Sequence, residues 1–165
     1  MILVGTAPEG GDDIMHMEKP ELKKITDDPN LTGFQKLVKL FFTSSSQSQA
    51  AGEAFVARLA QRKHDPEPIS GPKVAQVQIT AFRAWETVNG LRFAKLRKIS
   101  QPCLVVNGVF DKMIPVTNSY MLSEHLPNAM LLTYPDAAHG SLFQFHDSFV
   151  RQTSLFLGTE ALWPS

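Results

Sequence analysis

The sequence is poor in the features that mark most specialised classes of protein. It holds one cysteine, Cys103, so no internal disulfide can form, and the chain suits a reducing compartment. Cys103 sits in the middle of an apolar run, where a buried structural thiol is expected rather than a nucleophile. No apolar run approaches the roughly 20 residues of a membrane-spanning helix. The N-terminus lacks the basic start and long apolar core of a secretion signal. A cytoplasmic location, with no membrane partner, is the expectation. Neither sign of charge is in excess: 16 Lys and Arg balance 16 Asp and Glu, which leaves no basic footprint for a nucleic acid. No two histidines stand at i and i+4 and no Cys/His cluster exists, so no metal site is expected. Gly5…Gly10-Gly11 lacks the lysine and Ser/Thr that complete a phosphate loop, and Asp12-Asp13 follows it. That segment reads as a flexible turn.

At 165 residues, with 43% hydrophobic content, the chain has the size and composition of one globular domain. Its organising stretch is Gln101–Gly140. Cys103–Val106 is an apolar run with β-branched residues, which reads as a strand buried on both faces, as in a parallel sheet. Asn107-Gly108 ends it, and Asp111 follows in a loop. Pro115 suits the first position of a helix because its missing N–H is not needed there. Tyr120, Met121, Leu122 and Leu126 supply that helix's apolar positions, and Pro127 stops it. Met130–Tyr134 reads as a second buried strand, with His139-Gly140 just past its end. In an open parallel sheet the loops at the carboxyl ends of the strands face the ligand crevice. Asp111 and His139 are therefore expected on one rim.

The pattern Gly108-x-x-Asp111-x-x-x-Pro115, a helix, a strand and then His139-Gly140 is similar to the C-terminal signature of the α/β-hydrolase superfamily. In that family the triad acid follows the seventh strand and the catalytic histidine the eighth, in this chain order. The match covers about Leu96 to Leu157, and the whole chain more loosely. The resemblance implies an α/β fold: three parallel strands with flanking helices, plus a helical cap inserted after the first strand. It implies a Ser-His-Asp triad with His139 as base and Asp111 as its orienting acid, no cofactor, and a small, fairly apolar substrate with an ester or similar bond. Cofactor-free haloperoxidation, C–C bond cleavage and dehalogenation also occur in the family. The nucleophile elbow Gly-x-Ser-x-Gly is nowhere in this sequence, nor is a Gly-rich oxyanion segment. The chain thus resembles the C-terminal half of such an enzyme and is expected to be inactive alone. A non-catalytic fragment, or a ligand-binding or interaction module on the same fold, is the other reading.

On that resemblance Ile2–Val4 is the sixth strand of the family's sheet, and residues 1–11 form the first strand and loop of the partial core. Residues 12–89 form the cap, and residues 90–165 the rest of the core. The cap segment is helical in pattern. Helices are expected from Pro20 to before Asp27, after a Thr32 cap, over Gln47–Lys63 and over Ser70–Glu86. Phe34, Leu37, Val38 and Phe41 form the apolar side of the second; Ala51, Phe55 and Leu59 that of the third; Val74, Val77, Ala81 and Trp85 that of the fourth. Beyond His139, Ser141–Leu157 reads as one broken helix or two short ones, with Phe143, Phe145, Phe149, Val150 and Phe156 apolar and Gly158 as a C-cap.

Phe41, Phe42, Phe55, Trp85, Phe110, Met113 and Phe143 are candidates to line an apolar substrate pocket. Phe110, Met113 and Phe143 have the strongest claim because they flank Asp111 and His139. Asp12 and Asp13 occupy a second position at which some family members place the acid, and Asp136 reads as a turn residue. His16, His64, His125 and His146 carry no expected role in catalysis. The outer edge of Ile2–Val4 is expected to lie open, without charge or proline to protect it, and to pair with a second copy as a two-fold dimer.

Overall fold

The computed structural model describes residues 1–14, 18–65 and 70–158. The reading for His16 lies outside them. Three strands, β1 (Ile2–Val4), β2 (Cys103–Gly108) and β3 (Ala129–Tyr134), form one parallel sheet in the order β1-β2-β3. Leu3 is opposite Val105, and Val105 is opposite Leu131. This is the α/β arrangement of parallel strands and flanking helices expected from the sequence.

The alternation along β2 decides how the layers are built. Cys103 and Val105 point to one face, where they are buried with Leu122 and Leu126 of helix α5 (Thr117–His125) and its C-terminal turn. Leu104 and Val106 point to the other face and pack with Phe156 of α7 (His146–Gly158), supported by Phe145 and Phe149. β2 is therefore buried at every residue, as a central parallel strand must be when helices cover both faces. The Cys103 thiol, wholly buried, has its pKa pushed up by desolvation, and its Sγ lies 3.2 Å from the Gln101 carbonyl. It is a core residue.

Several boundaries differ from expectation. β2 runs on through Asn107 and Gly108, because both still pair with Thr133 and Tyr134. β3 is only partly buried, with Met130 41% exposed, because it is an edge strand here. α5 starts at Thr117, two residues after Pro115, whose carbonyl instead accepts the Asn118 N–H in a preceding turn. Tyr120 and Val150 face solvent, and Gly158 is the last residue of α7 rather than a cap beyond it.

Between β1 and β2, the described residues contain helices and turns and no strand. α1 (Pro20–Thr26) buries Leu22. α2 (Gly33–Phe41) opens with a capping box: the Thr32 hydroxyl accepts the Gln35 N–H, and the Gln35 side chain accepts the Thr32 N–H. Phe34 is exposed on it. α3 (Ser46–Leu59) is capped by Ser45 and buries Ser48, Gly52 and Phe55. It ends at Leu59, short of Lys63, where the apolar spacing gives way to a polar, basic run. α4 begins at Pro72, not Ser70, and runs to Glu86. Of its Val74, Val77, Ala81 and Trp85 stripe, the first three residues do not face the protein: Val77 is 61% exposed, and only Ile79 and Phe82 of the helix are half-buried among its described side chains. Trp85 Nε1 donates to the Ala7 carbonyl and anchors that helix at its end. The spacing shows which residues share a side of a helix, but not which side finds a partner.

Candidate active site

The acid loop is built from the end of β2. Asn107 is fully buried; its amide donates to the Ile114 carbonyl at 3.1 Å, and its Oδ1 accepts the Gly108 N–H at 2.9 Å. These bonds fold the chain back after the strand. Gly108 then passes so close to the end of the neighbouring loop that a Cβ there would lie 2.3 Å from the Ala138 carbonyl oxygen. A glycine is required by that approach. It lets Phe110 N–H reach the Ala137 carbonyl at 2.9 Å, which ties the acid loop to the histidine loop.

Asp111 lies at the centre of this arrangement, and its side chain is wholly buried. One oxygen, Oδ1, accepts the N–H groups of Met113 and Ile114 at 2.8 and 2.9 Å. The other, Oδ2, is 2.8 Å from His139 Nδ1. A carboxylate can only accept, so Nδ1 carries the proton, and the neutral ring then presents its Nε2 lone pair. Nε2 has no hydrogen-bond partner among the described residues, and the His139 side chain is 23% exposed. The arrangement can therefore take a proton from a hydroxyl brought to Nε2 and hold the resulting imidazolium against Asp111.

The helices between β1 and β2 reach this rim. The Phe41 ring stands edge-on to His139, with centroids 5.4 Å apart. Phe143 stacks on Phe41 at 6.1 Å and on Phe55 at 4.5 Å, giving an aromatic wall beside the histidine. The Met113 side chain is half-buried next to the acid, with its N–H committed to Asp111. Phe110 is more than half exposed and faces a cavity of about 710 Å³ that also takes in Leu22, Ile25, Lys39, Phe42 and Lys112. Neither Asp111 nor His139 lines that cavity. Phe143 and Met113 thus belong to the neighbourhood of the dyad, whereas Phe110 belongs to the adjoining cleft.

Of the other candidates, the Asp12 carboxylate pairs with Arg92 while its backbone N–H donates to Asn118 Oδ1, and Asp13 pairs with Lys19. His125 stacks on Phe93, and His146 lies beside Asp147. No group of three His, Cys, Asp or Glu among the described residues could hold a metal. No helix there is long and apolar enough to cross a membrane.

Sequence reasoning missed the role of Asp136. It has a left-handed backbone, with φ of 49°, and its carboxylate accepts the hydroxyls of Thr43 and Ser45, both at 2.5 Å. Those bonds, Ser45 first, hold its pKa below the ordinary value. Ser48 donates to Gln144, and Gln144 to the Asp136 carbonyl. The partners lie about ninety residues apart, so no local spacing could reveal them. In the sequence Ser44-Ser45-Ser46 reads as a polar break and nothing more.

No family model matches the chain. The sequence is 29% identical over 110 residues to pimeloyl-(acyl-carrier protein) methyl ester esterase of Nitrosomonas europaea, covering 65% of this chain and 39% of that protein. It is 25% identical over 136 residues to 2-hydroxy-6-oxo-6-phenylhexa-2,4-dienoate hydrolase of Burkholderia cepacia, covering 82% of this chain and 45% of that one. Among solved structures, an alpha/beta hydrolase fold protein from Chitinophaga pinensis superposes with a TM-score of 0.84 at 33% identity, over 96% of this chain and 55% of the other. The chain spans about half the length of the relatives it matches.

Proposed function

The chain belongs to the α/β-hydrolase superfamily, and we propose that it carries the C-terminal portion of an active site that hydrolyses an ester of a small, largely apolar substrate. His139 serves as general base and then general acid; Asp111 fixes its tautomer and stabilises the imidazolium. The attacking serine lies outside this sequence, which has no Gly-x-Ser-x-Gly. Without it the 165 residues alone do not perform covalent catalysis. The observation that carries the reading is the 2.8 Å contact between Asp111 and His139, with the acid buried and Nε2 left open.

Residues 12–89 act as the cap over this rim, and Phe143 and Met113 line the apolar side of the substrate site, with Phe110 at its outer margin. C–C bond hydrolysis is the second reading, favoured by the similarity to the Burkholderia cepacia enzyme over 82% of the chain. Both use the same base and differ in the bond that is broken.

The test is complementation. The chain is co-expressed with the part of the Chitinophaga pinensis relative that it does not cover, and the complex is assayed on short acyl esters. The expected result is hydrolysis that His139→Ala abolishes. Hydrolysis by the chain alone, with a serine of this chain modified by a fluorophosphonate, would overturn the assignment.

A further inference from the structure

We propose that the turn from Phe41 to Ser48, which joins α2 to α3, is the positioning device for His139, so that the dyad is assembled only while these helices are docked. The inference rests on His139 being the base, and it extends to Thr43, Ser45 and Asp136, which line the adjoining cleft and make no bond to the imidazole. Three sets of contacts bracket the histidine on both sides in sequence. Before it, the Asp136 carboxylate accepts the Thr43 and Ser45 hydroxyls. Immediately after it, Gly140 N–H donates to the Phe41 carbonyl at 2.8 Å. Further on, Ser48 donates to Gln144 at 2.7 Å, and Gln144 returns to the Asp136 carbonyl at 2.8 Å. The Phe41 ring rests against the imidazole itself.

This closeness leaves no slack. A Cβ on Gly140 would lie 2.7 Å from Phe41 Cβ and 2.9 Å from the Phe41 carbonyl oxygen, so the histidine loop and the end of α2 are in backbone contact. An imidazole has only two soft torsions, and Asp111 fixes one ring nitrogen. What remains is the position of the His139 backbone; the Phe110 N–H to Ala137 carbonyl bond holds it from the acid loop, and the bonds from residues 41–48 hold it on either side. If the turn lifts away, Nδ1 loses its register with Asp111 Oδ2. Thr43, Ser45 and Asp136 are in this account positioning residues; none touches the reacting atoms.

The experiment is NMR of the 165-residue chain, comparing wild type with Thr43→Val and, separately, Asp136→Asn. Asn tolerates the left-handed backbone, so the second change removes charge without backbone strain. Two protons are followed in exchange with solvent: the Gly140 amide and the His139 Nδ1 proton. The Val105 amide in the centre of the sheet controls for global unfolding. The expected result is that both protons exchange at least tenfold faster in each variant, with Val105 unchanged and Thr43→Ser restoring wild-type rates. A faster Gly140 amide with an unaltered Nδ1 proton would overturn the proposal, since the turn would then be packing only. No change at either proton would overturn it too, because the bonds would not constrain the loop. Absence of an Nδ1 proton on neutral wild-type His139 would instead remove the dyad reading beneath it.

Discussion

Replacing Asp111 tests whether the acid loop is built on its carboxylate, which also faces His139. Asp111→Ala leaves the N–H groups of Met113 and Ile114 without their acceptor. A buried donor left unsatisfied costs about 1–3 kcal/mol. Ile114 is buried and Met113 half-buried, so water recovers part of the second loss. The expected destabilisation is about 2–5 kcal/mol, a large share of the stability of a domain this size. Asp111→Asn keeps an oxygen facing both N–H groups and gives up only the charge assistance, which points to about 1–2 kcal/mol. Urea unfolding followed by circular dichroism measures both. Asp111→Ala is expected to lower the midpoint clearly more than Asp111→Asn. If Asp111→Ala stays within about 0.5 kcal/mol of wild type, as an ordinary surface substitution does, the loop is not built on this carboxylate and the reasoning fails.

Two further outcomes are expected. Asp136 has its pKa lowered by the Ser45 and Thr43 hydroxyls, so its contribution to stability is present above its ordinary value of 3.8 and is lost as the pH falls through the lower folded value. The difference in Tm between wild type and Asp136→Asn should therefore be constant near neutrality and shrink on acidification below that value; a difference that grows there would contradict the bonds. The outer edge of β1 has no partner strand among the described residues, and Met-Ile-Leu-Val offers no charged side chain to protect it. Light scattering is expected to show a dimer that Ile2→Lys/Val4→Lys dissociates, and a monodisperse monomer indifferent to the charges would remove the edge-pairing account.

The sheet and the dyad were legible in the sequence for a physical reason. A parallel strand covered on both faces reads as an unbroken apolar run, and Cys103–Val106 does so with turn signals at its end. The acid and the histidine follow such strands directly, so their strand-end positions come with the strands. The helices between β1 and β2 were less legible. Their existence followed from caps such as Thr32 and from periodicity, but α4 carries a regular apolar stripe and leaves all of it except Trp85 in solvent. Periodicity records a shared side of a helix, whereas burial depends on what lies opposite. The bonds from Thr43 and Ser45 to Asp136 were not legible at all, since hydroxyls beside a helix start are used locally in most chains.

The central claim is that Asp111 sets the tautomer of His139 and leaves Nε2 free to act on a hydroxyl. Nitrogen-15 NMR of the histidine ring at a pH where it is neutral reads this directly. The account predicts a protonated Nδ1 and a bare Nε2 in the wild type, with the proton moving to Nε2 in Asp111→Asn. A wild-type ring already protonated at Nε2, or a tautomer unmoved by Asp111→Asn, would contradict it.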